Sequence, residues 1–195
     1  MAQPAFYDDL DASLREAWRL LARGVVDRRS PFHTPVIATI GRDGAPRARI
    51  VVVRGVDGEA RTVRFHTDRR TAKAEEIGRD ARLALIAYDA PAKIQIRLEG
   101  RASLHASDAV ADEAWVGSRP FSKVCYGTNP PPGTVIPAGE GYSLPPAEEV
   151  ETGRSNFSAV LLQVESLEWL YLDRAGHRRA RFTFGAAPTA TWLVP

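Results

Sequence analysis

The sequence predicts a mainly β protein (α+β), an antiparallel barrel or sandwich with peripheral helices, and three observations carry that expectation. Short runs rich in Val, Ile, Leu and Thr recur along most of the chain. Asp-Gly and other Gly-containing turns separate the early runs. Helical periodicity is confined to a few segments. At 195 residues and 44% hydrophobic, the chain can bury one substantial core, so residues 1–195 read as a single domain.

Residues 8–26 open on Asp8, Asp9 and Asp11, which can cap a helix, and then place Leu10, Leu14, Trp18, Leu21 and Val25 at helical spacing. From Val36 the period shortens to that of strands: VIATI, RARIVVVR (47–54) and TVRFHT read as an antiparallel meander through the turns GRDG and VDGEA. Thr71 is placed to cap a short helix through Gly78, after which RLALIAYD and KIQIRLEGRASL resume strand character. Residues 107–119 read as a helix ending near Gly117. Residues 126–155 carry NPPPG, IPAG, EGYSLPP and TGR, too rich in Pro and Gly for a regular element; a loop that long is functional, packed against a partner, or disordered. SAVLLQV, EWLYLD, RRARFTF and ATWLV complete the strands.

Charge is distributed unevenly. The formal net charge is +2, yet residues 47–73 hold eight basic side chains against three acidic ones, a local +5 that leaves −3 for the rest. Such a concentration suggests a small anionic ligand more than a long polyanion. The single cysteine, Cys125, precludes an internal disulfide and fits a reducing compartment. His33, His66, His105 and His177 show no metal-ligand spacing, so no metal site is expected; the absence of GxGxxG argues against a nucleotide-binding α/β fold, and no GxSxG elbow marks a Ser-His-Asp site. No apolar run is long enough to span a membrane, and MAQPAFYDDL lacks the layout of a secretory signal, so a cytoplasmic protein without membrane partners is expected.

Strands do not need arginines to form, yet RARIVVVR is bounded by them. Taken alone, Arg47, Arg49 and Arg54 read as solvated strand ends. Alternation nevertheless puts Arg49 and Arg54 on opposite faces of one strand. Further anion-binding residue types follow at element ends: Thr67, Thr71 and Lys73, then GSRPFSK at 117–123. Arg, Lys, Ser and Thr supply the converging donors that a phosphate requires.

The succession RIVVVR (49–54), FHTDRRTAK (65–73), a strand carrying Gln95, WVGSRP (115–120), RARF (179–182) and the closing Trp192 to Pro195 resembles the pyridoxamine 5′-phosphate oxidase family. The resemblance implies an FMN-binding split β-barrel of antiparallel Greek-key type, and a homodimer with FMN between its subunits. It implies FMN contacts from Arg49, Ile50, Val51, Val52, Arg54, His66, Thr67, Thr71, Lys73, Gln95, Tyr171 and Arg181. Arg54, Trp115, Arg119 and Ser122 stand at the substrate-phosphate positions, His177 and Arg179 at those facing a pyridine ring. It implies hydride transfer from the carbon bearing an amine or alcohol to flavin N5, giving pyridoxal 5′-phosphate, with oxygen reoxidising the flavin to release hydrogen peroxide. No catalytic base is assigned.

The chain departs from the family pattern at several of these positions. Arg54 stands for a lysine, Trp115 for a tyrosine, Ala72 for an arginine and Tyr171 for a tryptophan, while His177 and Arg179 exchange residue types. The Pro-rich loop replaces a segment carrying Gln and Ser contacts to FMN. Two other readings remain open on the flavin side: a split-barrel reductase using a nicotinamide or deazaflavin donor, and a non-catalytic FMN-binding protein. A nucleic-acid-binding barrel would use the basic region as a track but lacks an evident stacking platform, so no nucleic-acid partner is expected.

Overall fold

The computed structural model describes residues 3–195 and folds them around one nine-stranded antiparallel sheet. The strands are β1 (Val36–Ile40), β2 (Pro46–Ile50), β3 (Val53–Asp57), β4 (Thr62–Asp68), β5 (Arg82–Asp89), β6 (Ile94–His105), β7 (Phe157–Tyr171), β8 (Arg178–Thr183) and β9 (Thr189–Leu193). The helices are α1 (Leu10–Val26), α2 (Ala72–Arg79), α3 (Ala109–Val116) and α4 (Pro120–Lys123). The sheet runs β2-β1-β5-β6-β7-β4-β3, with β8 pairing β7 and β9 pairing β8.

Two features of this order depart from the meander read in the sequence. RARIVVVR is not one strand: β2 ends at Ile50 and β3 begins at Val53, on the opposite edge of the sheet. Three peptide steps span at most about 11 Å, so the two edges must come together there and the sheet curls into a barrel. The segments SAVLLQV and EWLYLD, by contrast, form the single strand β7 of 15 residues. Its first half pairs with β4 through Thr62↔Gln163 to Asp68↔Phe157, and its second half pairs with β8 from Ser166↔Thr183 onward. The change of partner on β7 is the split of the split barrel. Against β6 this strand bulges at Glu165, which is left over between the pairs Glu99↔Ser166 and Gly100↔Val164, and there a side chain on β6 would not fit: a Cβ on Gly100 would lie 2.0 Å from the Gln163 carbonyl oxygen.

Alternation builds the core from one face of each strand, with Phe65, Leu85, Leu98, Leu167, Trp169 and Phe182 inside. Asp9 caps α1 by accepting from the Ala12 N–H at 2.8 Å, and Leu21 of this helix is buried while Leu10, Leu14, Trp18 and Val25 pack half-buried on the core. A second cluster joins Trp115 of α3 to Tyr126 and Phe157. The Pro/Gly-rich segment 126–155 is not irregular throughout, since Ala147–Asn156 winds as 3-10 helix with a kink at Glu149. No helix among the described residues is long and apolar enough to cross a membrane.

Candidate functional site

A cleft of ≈ 470 Å³ opens where the two sheet edges meet. The corner residues Ile50, Val51 and Val52 form one wall, and β4 with the start of α2 supplies His66 and Lys73. Arg54 reaches the cleft because β3 bulges: Val53 and Gly55 pair with the successive residues Phe65 and Arg64, which leaves Arg54 as the extra, re-aimed residue. Alternation along β4 turns Val63, Phe65 and Thr67 inward and brings Arg64 and His66 to the other face.

The polar groups here are held by specific partners. Lys73 Nζ donates to Thr67 Oγ1 at 2.8 Å, and Thr71 Oγ1 donates to the Asp68 carbonyl at 2.7 Å. Burial and then the neighbouring Arg49 charge push the Lys73 amine below its ordinary value. Burial, reinforced by the charges of Arg64 and Arg54, pushes His66 down to about 3, so its ring is neutral near pH 7. Its Nε2 is buried without a hydrogen-bond partner. Arg49 lies on edge strand β2 and turns toward α2, donating to Glu76 at 2.6 Å and to the Arg47 carbonyl at 2.7 Å, with Thr39 also in contact. Thr39 Oγ1 in turn donates to Glu76 at 2.5 Å.

Of the residues singled out from sequence, Ile50, Val51, Val52, Arg54, His66, Lys73 and Ser122 line this cleft together. Thr67, Thr71 and Arg49 stand behind it, linked through Lys73 and Glu76. Arg119 lines an adjoining cavity that shares Arg54, His66 and Ser122 with the cleft. Trp115 does not line either space: it packs against Phe157 at 5.2 Å and Tyr126 at 5.8 Å, and its Nε1 donates to Glu151 at 2.6 Å.

The remaining group lies at the far end of β7. Arg179 and Arg181 both bind Glu168, at 2.8 Å and 2.6 Å. Gln95 pairs with Leu170, and Tyr171 and His177 meet at Asp173, which accepts from the Tyr171 hydroxyl at 3.2 Å while its N–H donates to His177 Nδ1 at 3.1 Å. His66 pairs with Ala159 and Arg181 with Glu168, nine residues farther along the strand, or roughly 30 Å. One chain therefore does not bring both groups to one small molecule.

Sequence reasoning missed several cleft residues. Ser118, Phe121, Val124, Cys125 and Tyr126 come from α4 and its flanks, and Leu144 from the Pro-rich segment. Phe121 is 92% exposed and Leu144 50%, so large apolar side chains stand open at the rim. The available signal was Leu144 itself, an apolar residue inside EGYSLPP, where a purely solvated loop needs none.

The donor set suits FMN on three counts. Arg54 and Lys73 offer charge to a phosphate, the Val51 and Val52 wall offers an apolar surface to a planar ring, and the orphaned His66 Nε2 lacks a hydrogen-bond partner that a polar ring edge can supply. Residues 15–106 match the family model described as pyridoxamine 5′-phosphate oxidase, FMN-binding domain. The pyridoxine/pyridoxamine 5′-phosphate oxidase of Burkholderia lata is 34% identical over 89 residues, 46% of this chain and 40% of that protein. That of Bordetella petrii is 36% identical over 86 residues, 43% and 40% of the respective chains. The matched stretch thus spans about 40% of the length of these curated relatives. Among solved structures, a pyridoxamine 5′-phosphate oxidase-related, FMN-binding protein from Nostoc punctiforme superposes with a TM-score of 0.71 at 22% identity, over all of both chains. PhzG from Burkholderia lata, in complex with tetrahydrophenazine-1-carboxylic acid, gives 0.71 at 21% identity, over 100% of this chain and 98% of that one. Over residues 15–106 the chain is similar to the FMN-binding domain of pyridoxamine 5′-phosphate oxidase, a similarity that supports FMN as the cofactor.

Proposed function

We propose that the protein is an FMN-dependent oxidoreductase that works as a homodimer and removes a hydride from a small phosphorylated substrate, as a pyridoxine/pyridoxamine 5′-phosphate oxidase does. The observation that carries this reading is the convergence of Arg54, Lys73 and the unpartnered His66 on a cleft with apolar walls. When bound, FMN supplies the two-electron redox chemistry, and the protein supplies orientation and electrostatics. Lys73, steadied by Thr67, and the N–H groups at the first turn of α2 hold the cofactor phosphate. Arg49 adds charge nearby while anchored by Glu76. His66 presents a neutral ring, so it donates or accepts one hydrogen bond without adding charge. Arg54, Arg119 and Ser122 face the adjoining cavity and hold the substrate phosphate.

The second subunit supplies what one chain leaves apart. The outer face of the sheet carries Ile50, Val36 and Ile86 in one cross-strand row, with Tyr88 beside it, and Ile50, Ile86 and Tyr88 remain exposed. Gln95, Arg179 and Arg181 share that face, so a partner docked on it receives them at its own cleft. Trp115, withdrawn into the Tyr126 and Phe157 cluster, favours a second reading at the substrate side: a reductase of the same fold fed by a nicotinamide or deazaflavin donor.

The test is a visible spectrum of FMN-loaded, desalted protein before and after anaerobic pyridoxine 5′-phosphate. Retained colour that bleaches supports the oxidase. Retained colour that bleaches only with a nicotinamide or deazaflavin donor moves the function to the reductase, and loss of colour on desalting ends both readings.

A further inference from the structure

The adjoining cavity, ≈ 340 Å³ in volume, is lined by four arginines drawn from four parts of the chain. Arg28 follows α1, Arg54 is the bulge residue of β3, Arg64 stands on β4 and Arg119 precedes α4. Their charges are poorly compensated. Among the described residues Arg28, Arg54 and Arg119 have no side-chain hydrogen bond or ion pair. Arg64 reaches only Glu113 at 3.6 Å, a carboxylate whose side chain is 81% exposed, and the Arg64 Nε is buried without a partner. Arg54, Arg64 and His66 line this cavity together.

Arg54 and Arg64 are half-buried and repel each other more strongly than they would in water, and the exposed Arg28 and Arg119 add to the same positive field. A single phosphate dianion balances two of them. The substrate phosphate proposed above occupies Arg54, Arg119 and Ser122, which leaves Arg28 and Arg64 without an anion. We propose that this cavity takes a small molecule bearing two anionic groups, a phosphate plus a second phosphate or carboxylate, with Arg28 and Arg64 binding the second group. The inference rests on the flavin-site reading for its phosphate half and on this chain's own residues for the other.

Four probes at fixed ionic strength test it by calorimetry, with and without FMN: 3-phosphoglycerate against glycerol 3-phosphate for a carboxylate, and pyrophosphate against inorganic phosphate for a second phosphate. At least one doubly anionic probe is expected to bind about tenfold or more tighter than its counterpart. Arg28→Gln and Arg64→Gln each remove most of that ratio, whereas Arg101→Gln, an exposed arginine outside the cavity, keeps it. Arg28 is itself exposed, so its variant reports on the site even where Arg64→Gln fails to fold. Ratios near one for both pairs, or a ratio that survives Arg28→Gln, overturn the proposal. Flavin retention is read separately by absorbance: its loss overturns the cofactor reading while the ratios on the flavin-free protein still decide the cavity.

Discussion

Glu76 shows how one side chain couples the site to stability. Burial pushes its carboxyl up, but the hydrogen bonds from Thr39 and Arg49, with the Arg49 charge, overcome that and hold it below the ordinary 4.5. A carboxyl lowered in the folded state stabilises the fold above its unfolded value and loses that contribution as pH falls through its folded value. Melting temperature is therefore expected to fall below about pH 4.5, less steeply in Glu76→Gln; identical slopes for the two proteins would remove Glu76 from the account. His66 is held neutral where Glu76 is held charged, yet it acts in the same direction: protonation is favourable only once unfolded, so between pH 6.5 and about 3 acid draws the chain toward the unfolded state. Its ring resonances should show no titration between pH 5 and 8. Lys73→Ala removes a charge-assisted contact worth about 1.5–3 kcal/mol, so FMN affinity should drop roughly ten- to hundredfold in a fluorescence titration. These residue types were legible in FHTDRRTAK, because alternation and cap chemistry are local. The pairing of Arg49 with Glu76 was not, since it joins an edge strand to a helix 27 residues away.

Among the elements, the bulges and the corner decide what the side chains reach. The end points of β1 and β5 and the caps of α1 and α3 follow from periodicity and capping, and Asp108 accepts from the Ala111 N–H at 3.0 Å as an N-cap should. The corner at Val51 and Val52 had no such signal. A continuous β-branched run is compatible with both one strand and two, and only closure of the sheet distinguishes them. For the same reason the two-faced strand expected of RARIVVVR gives way to a corner and a bulge, by different means bringing Arg54 to the cleft and Arg49 behind it. Gly100 is the tightest of these constraints. Gly100→Ala should cost at least about 1–3 kcal/mol in urea unfolding, because the obstructing atom is a backbone oxygen that cannot rotate away. A variant as stable as the parent would show that the bulge relaxes.

For the molecule as a whole, the sequence marked the strand-forming segments but neither all of their breaks nor their order. Order depends on β7, whose two halves serve different neighbours, and nothing in SAVLLQVESLEWLYLD marks Val164 and Glu165 as the point of exchange. The Pro-rich segment was legible only as a loop, while its Leu144 at the cleft required the tertiary fold. In the proposed homodimer the open sheet face is buried, so Tyr88→Glu, which places a charge at its centre, should give a monomer by light scattering and shed FMN together. A monomeric variant that keeps its flavin would show that the partner contributes nothing to the site.

The fork in β7 also has a genetic consequence. In the proposed homodimer Lys73 would serve the chain's own cleft, and Arg181, beyond the exchange point, its neighbour's. Two alleles, one crippled at Lys73 and one at Arg181, are each inactive alone, yet a heterodimer assembled from both products holds one site with neither lesion. In that homodimer, co-expression of the two should restore activity that neither shows alone.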